Sequence, residues 1–449
     1  MAENPVPFYD IPYRRLFPWL HLTRAFWIAA DLRKLILASI ALMLVSAGSL
    51  AFDDLLPFSR PESNEVAAAR NAERWPWQQS LGYDLWHGGD GPAELRGALY
   101  DPRNTLLRIS SNWQIVLLPF RKIVEPAACL FRGNASPAQL ADAATRSLWN
   151  LVVWSIFGGA ISRIAAVQFA RDQQIGIRRA LAFSASRFFG YVSAPVLPLF
   201  GVAILWALCV LGGWIGRIPG GVGEGMLGVL WGLELVFGFL MAVILIGVGV
   251  GWPLMFATIS VEGTDGFDGL SRAYNYIFER PLYVLWQGVV TMFYGSIMIF
   301  FVWLMAQILT QLAVWGVSWG MGYQAVVGLL GGTLEVAATD DPAAEMAVVS
   351  RGAEIVRCWM YALDVVVVGF VYTFFWSSAT IAYFVLRHSV DANDFDEVFV
   401  EESEDRDELL PLVGTPSVAD AEKTVLPIAS LPSAATDKAA IPPPVDLTP

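Results

Sequence analysis

The chain has 449 residues, of which 55% are hydrophobic and only 16% are charged, whereas an ordinary soluble domain is about a quarter charged. This composition excludes an array of soluble domains and predicts an integral membrane protein. Most of the net charge of −12 comes from one acidic segment, 391–408. No basic stripe remains to neutralise phosphates, so nucleic acid is not an expected partner.

Six apolar runs follow one another along the chain. Each is long enough, at about 20 residues, to cross a bilayer as a helix. We predict spans at 35–52, 148–170, 191–214, 237–259, 282–309 and 361–386. The fourth run begins earlier, at Met226, and we interpret 230–235 as a short interfacial segment before the span. The predicted fold class is an all-α integral membrane bundle of about six transmembrane helices.

These spans divide the chain into five segments. A cytoplasmic amphipathic segment, 1–34, precedes the first helix, 35–52, which we interpret as an uncleaved anchor because no A-x-A-like site follows it closely. An extracytoplasmic loop region, 53–146, leads to a membrane domain, 147–390, with five further spans. Residues 391–449 are acidic and then rich in Pro and Ala, and we expect a disordered cytoplasmic tail.

The arginines of the short loops predict the orientation. Clusters precede the first span and follow the second, fourth and sixth, whereas the loops after the third and fifth spans hold few. The positive-inside rule places the clusters in the cytoplasm. The loop 53–146 also holds arginines, but loops of that length cross largely regardless of charge. We therefore expect a protein of the inner (cytoplasmic) membrane with both termini in the cytoplasm.

Two segments that follow the second and fourth spans are similar to each other. DQQIGIRRALAFSASR runs from Asp172 to Arg187, and DGFDGLSRAYNYIFER runs from Asp265 to Arg280, at an offset of 93 without gaps. Apolar residues recur at helical spacing in both, which predicts two amphipathic helices. Because both segments lie on the same predicted side, the unit of span, linker and span forms a parallel internal repeat.

The charged residues of the two linkers form a candidate cytoplasmic interaction surface: Arg179, Arg187, Asp265, Asp268, Arg272 and Arg280. The expected partners are the lipid bilayer and, at the linkers, anionic lipid headgroups or a protein. The plainer alternative is a pair of connecting helices that lie at the headgroups.

Two stretches carry a resemblance to known proteins. VEGTDGFDGLSRAYNYIFERP (Val261 to Pro281) and YFVLRHSVDANDFDEVFVEE (Tyr383 to Glu402) resemble a group of planctomycete membrane proteins. The order of span, Gly-containing turn, short helix and terminal Arg resembles the six-helix membrane domain of glycerophosphodiester phosphodiesterase-type proteins. The resemblance covers about 149–402. It implies a fold and a membrane location but no activity, because the phosphodiesterase's catalytic barrel and its metal ligands have no counterpart here.

No residue constellation indicates a reaction. The histidines, His21, His87 and His388, are far apart in the sequence, and the GGDG at 88–91 lacks the GK[ST] of a phosphate loop. The cysteines have no metal-ligand spacing, although Cys129 and Cys358 share the predicted outer side, which would allow a disulfide. We predict no catalytic, cofactor-binding or metal-binding residues, and therefore not an enzyme.

The leading hypothesis is a non-enzymatic protein that organises the membrane or binds a partner. The alternative is a transporter or channel for a small solute or lipid, which the Gly-rich fourth span favours and the scarcity of polar residues in the spans opposes.

Three local features leave alternatives open. Arg163 either extends to the headgroups or is a buried functional charge. The loop 53–146, with its apolar patch 115–120, either caps the bilayer face or binds a ligand. The acidic segment that contains Phe395 and Phe399 is either an ordinary solvated tail or a segment that folds on a basic partner.

Overall fold

The computed structural model describes residues 17–59, 68, 70–79, 81, 102–133, 135–219, 221–330 and 351–399. Within these ranges the chain is helical and contains no β-strand. The predictions for the first 16 residues and for the tail from residue 400 onward lie outside the described residues.

Twelve α-helices have both ends within the described ranges. They are α1 (Ala25–Ala29), α2 (Leu32–Leu55), α3 (Pro102–Ser111), α4 (Leu118–Ala128), α5 (Pro137–Arg171), α6 (Ile177–Ser186), α7 (Phe188–Gly216), α8 (Val222–Glu262), α9 (Gly266–Glu279), α10 (Pro281–Met321), α11 (Tyr323–Leu329) and α12 (Arg351–Asp391).

Six of these helices, α2, α5, α7, α8, α10 and α12, are long and apolar enough to cross a membrane. Each predicted span lies within one of them, which confirms the predicted all-α bundle. Three helices have 41 residues, or about 60 Å at 1.5 Å per residue, twice the thickness of a bilayer core. These helices therefore continue beyond the hydrocarbon layer.

The fourth span differs from its prediction. α8 is one helix from Val222 to Glu262, bounded by Gly221 and Gly263 in the left-handed conformation (φ +76° and +65°). The predicted interfacial segment 230–235 is wrong as a separate element. The run between Met226 and Phe237 contains no proline, and the backbone hydrogen bonds of the helix continue through it.

The short helices α6 and α9 lie at the same end of the bundle, called here the linker end. Arg24 reaches Asp172 at 2.5 Å, and Arg187 donates to the carbonyl of Thr264 at 3.4 Å. The first residues of α2 also lie here, since Arg33 donates to the carbonyl of Ile175 at 2.8 Å. The predicted arginine-rich connections thus meet at one end.

The centre of the bundle is formed by α5 and α12. In the most apolar 18-residue stretch of each helix, 78% of the residues of α5 and 83% of those of α12 are buried. The corresponding shares in α7, α8 and α10 are 17%, 6% and 11%. At the centre Trp154 stacks on Tyr372 with ring centroids 4.9 Å apart, and Trp376 lies 5.2 Å from Trp252. Aromatic rings of α5, α12 and the buried end of α8 therefore fill the bundle axis, whereas α7, α10 and the rest of α8 present apolar surface to lipid.

Part of the long loop region also packs into the bundle. Ile115 and Val116 are buried, and Val116 lies against Gly295 of α10. Phe120 lies 6.2 Å from Trp252 of α8, between ring centroids. The apolar patch 115–120 therefore enters the helix bundle and does not lie on the bilayer face, because it finds apolar partners on two long helices.

The opposite end of the bundle, called here the far end, is joined by ion pairs. Asp53 at the end of α2 receives hydrogen bonds from Arg74 and Arg146, each at 2.6 Å. Asp142 of α5 receives them from Arg70 and Arg146, each at 2.8 Å. Two carboxylates and three guanidinium groups thus attach the segment 70–74 to the first two spans.

Candidate functional site

The two linker helices begin differently. Asp265 is the N-cap of α9, and its carboxylate accepts the backbone N–H of Asp268 at 2.9 Å. Its counterpart Asp172 instead ends α5 in the left-handed conformation, and Gly176 precedes α6. The gapless alignment of 172–187 with 265–280 therefore pairs the end of one helix with the start of another, and the two linkers differ in structure at this point.

The two linkers agree better at their other ends. Arg187 and Arg280 each join a short helix to the following long helix, and Ala180 and Ala273 are both fully buried. These shared positions are compatible with the internal repeat, which stays a prediction.

The candidate surface residues divide into two groups. Arg179, Asp268 and Arg280 are exposed, as is the N-cap Asp265. Arg187 and Arg272 are partly buried and bond to Thr264 and Glu262 of the same chain. Four of the six candidate residues are thus exposed, and the candidate interaction surface stays a prediction.

Arg272 is held by a carboxylate that the sequence did not single out. Glu262, the last residue of α8, lies 2.8 Å from Arg272 and accepts a hydrogen bond from the Tyr383 hydroxyl at 2.5 Å. Arg387 lies 3.9 Å from the same carboxylate. Partial burial, the largest single effect, lowers the pKa of the Arg272 guanidinium, but Glu262, Tyr383 and Tyr276 together outweigh it, so the pKa is raised.

A second polar contact joins α9 to α12. The Tyr276 hydroxyl donates a hydrogen bond to the Asp391 carboxylate. Burial, and then this neighbouring carboxylate, raise the pKa of the Tyr276 phenol above its ordinary value, so the phenol stays protonated and remains a donor.

Residues 392–399, called here the strap, fold back over the linker end. The Phe395 ring lies 4.6 Å from the His21 ring and 4.5 Å from the His388 ring. The backbone N–H of Phe399 donates to the carbonyl of Val261 at 2.8 Å. Glu397 accepts a hydrogen bond from Arg387 at 2.8 Å.

The predicted tail boundary at residue 391 is therefore wrong for 391–399. The segment does fold on a basic surface, but the surface belongs to the same chain. Its aromatic side chains pack against rings and arginines, Phe395 partly buried and Phe399 still exposed, and these contacts offset entropy lost on ordering the segment.

An open cleft of about 620 Å³ lies between the strap and the helix ends. Arg171, Arg272 and Arg387 line it together with Glu262 and Glu397. Its lining is polar and charged, so it suits an ionic ligand better than an apolar one. Within the described residues, no group of three or more His, Cys, Asp or Glu side chains could hold a metal ion.

Arg163 lies nearby but does not reach the headgroups. Its side chain is fully buried and donates to the carbonyl of Ser260 at 3.0 Å, and its guanidinium lies 4.3 Å from the centre of the Phe183 ring. The prediction that it extends to the headgroups is wrong. It instead ties α5 to α8 and α6. The disulfide that the sequence would allow is not formed, since Cys129 and Cys358 are free.

No family model, no curated protein and no solved structure matches the chain. The fold and the polar linker end therefore define its class by themselves: a multi-pass helical membrane protein with six candidate spans. The resemblance to the phosphodiesterase-type membrane domain stays a prediction.

Proposed function

We propose that the chain is a non-enzymatic protein of the inner (cytoplasmic) membrane, with both termini in the cytoplasm, that organises anionic lipids at its linker end. The observation that carries this proposal is the pairing of exposed arginines with exposed aromatic side chains on and beside the two linker helices. Arg178 and Arg280 are exposed, and so are Phe189, Phe267 and Phe278.

The distribution of buried and exposed residues around α9 supports this proposal. Ala273 and Ile277 face the protein and are buried, whereas Phe267 and Phe278, three turns apart on the other side, are exposed. Exposed aromatic rings beside basic side chains are typical of helices that lie at the boundary of headgroups and acyl chains. The positive charges then attract the anionic lipids of the cytoplasmic leaflet.

The arginines Arg187 and Arg272 have a supporting part in this function. Because they bond to Thr264 and Glu262, they hold the linker helices in place, and the exposed arginines make the lipid contacts. A transporter gains no support from the packing, because Trp154, Tyr372 and Trp376 occupy the bundle axis.

The test is the lipid that stays bound to the purified protein. Native mass spectrometry in mild detergent should show phosphatidylglycerol retained in preference to phosphatidylcholine. The double variant Arg178→Gln/Arg280→Gln should lose about tenfold or more of that preference, since each arginine near a membrane surface contributes about 1 kcal/mol.

Arg103→Gln/Arg132→Gln is the matched control, because it removes the same two charges from exposed positions in the long loop region. It should leave the lipid preference unchanged. Equal preference in the double variant and the unmodified protein would reject the proposal.

A further inference from the structure

The cleft at the linker end brings together arginines from three helices. Arg171 ends α5, Arg272 belongs to α9 and Arg387 lies near the end of α12. Glu262 lies 2.8 Å from Arg272 and 3.9 Å from Arg387, so a single carboxylate holds two of the three guanidinium groups beside each other. The positions of these cations are therefore set by the fold.

The strap supplies most of the negative charge in this cleft. The lining contains three arginines and three carboxylates, Glu262, Asp396 and Glu397, and the last two belong to the strap. With the strap in place these charges sum to zero. With the strap lifted, three positive charges face one negative charge, a net of +2.

An external anion can replace the Glu397 carboxylate of the strap as the partner of Arg387. The Arg387 side chain is 5% exposed, whereas that of its partner Glu397 is 56% exposed. A buried cation needs an anionic partner, but an exposed carboxylate on a short segment is a weak and replaceable one. The Glu397 carboxylate thus occupies the position that an external anion would take.

We propose that this cleft is a phosphate-binding site and that the strap is its releasable cover. A phosphate group displaces Glu397 from Arg387 and is bound also by Arg171, which is exposed at the cleft. Guanidinium groups bind phosphate oxygens through paired, charge-assisted hydrogen bonds. With the strap lifted, the net charge of +2 on the cleft lining matches a doubly charged phosphate. This site is separate from the exposed arginines that contact lipid, and it does not rest on the function proposed for them.

Hydrogen–deuterium exchange of the full-length protein in phosphatidylcholine nanodiscs tests whether phosphate releases the strap. Inorganic phosphate should speed exchange in 393–399, where the Phe399 N–H that bonds to Val261 is a direct reporter. A parallel sample in nanodiscs that also contain phosphatidic acid distinguishes the two sources of phosphate. Faster exchange with inorganic phosphate assigns a soluble ligand, and faster exchange only with phosphatidic acid assigns a lipid headgroup. Unchanged exchange in both samples overturns the proposal.

Two variants test the site itself, with the affinity for inorganic phosphate or for short-chain phosphatidic acid measured by calorimetry. Glu397→Gln removes the competing carboxylate and should tighten binding about tenfold, whereas Arg171→Gln removes an exposed ligand and should weaken it about tenfold. Asp394→Asn is the matched control, because it removes the same charge from the strap at a residue that does not line the cleft. If Glu397→Gln and Asp394→Asn change the affinity equally, the cleft is not the site.

These outcomes are independent of the lipid-organising proposal. Arg178→Gln/Arg280→Gln should leave phosphate binding unchanged, and Glu397→Gln should leave the preference for phosphatidylglycerol unchanged. Either proposal can therefore fail without the other.

Discussion

Two adjacent glycines in α5 determine how closely its neighbours approach. A Cβ atom at Gly158 would lie 2.7 Å from the Trp376 ring, and one at Gly159 would lie 2.9 Å from the Tyr191 ring and collide with the Ser184 hydroxyl. The absence of a side chain at these positions allows three different elements to pack against one stretch of α5.

Gly159→Ala should lower the free energy of unfolding by about 1 to 3 kcal/mol, because overpacking a closed core forces its neighbours out of position. Thermal unfolding in mild detergent, followed by tryptophan fluorescence, measures the effect. Gly249→Ala is the control: it too lies within a helix, but no atom lies within 4 Å of the added Cβ. It should be neutral or stabilising, and a similar loss in both variants would show that the close packing at Gly159 is not the cause.

Arg163 gives a second prediction at this scale. Arg163→Met should lower the free energy of unfolding by about 2 kcal/mol or more, because the carbonyl of Ser260 loses its donor and the Phe183 ring loses its cation. Arg163→Lys, which keeps the charge, should lose less. The exposed Arg178→Met is the control in the same melting experiment, and a loss there as large as in Arg163→Met would contradict the structural role.

At the scale of elements, the strap shows how a short polar segment stays folded. Only a few of its contacts are apolar, and they centre on Phe395 and Phe399, which lie in two separate aromatic sites. Gly263 leaves room for the second of these rings, since a Cβ there would lie 2.7 Å from Phe399. The strap is therefore fixed at two points, with the exchangeable Glu397 between them.

Phe395→Ala should release the strap without unfolding the bundle. Loss of a partly buried aromatic ring should raise hydrogen exchange in 393–399 about tenfold or more, while the melting temperature changes little. Asp394→Ala, in the neighbouring exposed position, should leave exchange unchanged. Equal exchange in Phe395→Ala and the unmodified protein would mean that the ring does not hold the strap.

The ion pairs of the far end should hold the segment 70–79 in place, and hydrogen exchange can test this as it does for the strap. Asp53→Ala removes a carboxylate that pairs with Arg70, Arg74 and Arg146, so the segment should exchange faster while α2 remains folded. Asp54→Ala, at the exposed neighbouring residue, is the control. High salt should weaken any remaining attachment, because it screens the partly exposed charges.

For the molecule as a whole, the short arginine-bearing connections lie at one end of the bundle, and residues 53–59 and 70–79 of the long loop region lie at the other. The positive-inside rule predicts that the end with the short connections faces the cytoplasm. The long helices then continue past the bilayer, and the strap and the two linker helices close the end that carries the arginines.

Reporter fusions test this orientation. A fluorescent protein that matures only in the cytoplasm should be bright when fused after Phe399 and dark when fused after Gly216, between the third and fourth spans. The reverse pattern would contradict the orientation and the lipid-organising function with it.

The number and position of the spans could be predicted from the sequence, because a run of about 20 apolar residues is a local property that needs no knowledge of the fold. An N-cap at Thr264 or Asp265 could be predicted for the same reason, since a capping side chain bonds to backbone two or three residues away; the structure places the cap at Asp265. The continuity of α8 was missed because an apolar run does not show whether its helix breaks or continues.

Other features were decided by the tertiary structure alone. Arg163, Glu262 and Phe395 have partners 97, 121 and 374 residues away in the chain, and no local pattern pairs them. The buried spans are the less apolar ones: the mean hydropathy is 1.5 for α5 and 1.8 for α12, against 2.1 to 2.5 for α7, α8 and α10. The sequence therefore carries part of the distinction between buried and outer helices. Which side chains meet across the bundle is decided only by the arrangement of the helices, because those partners lie far apart in the chain.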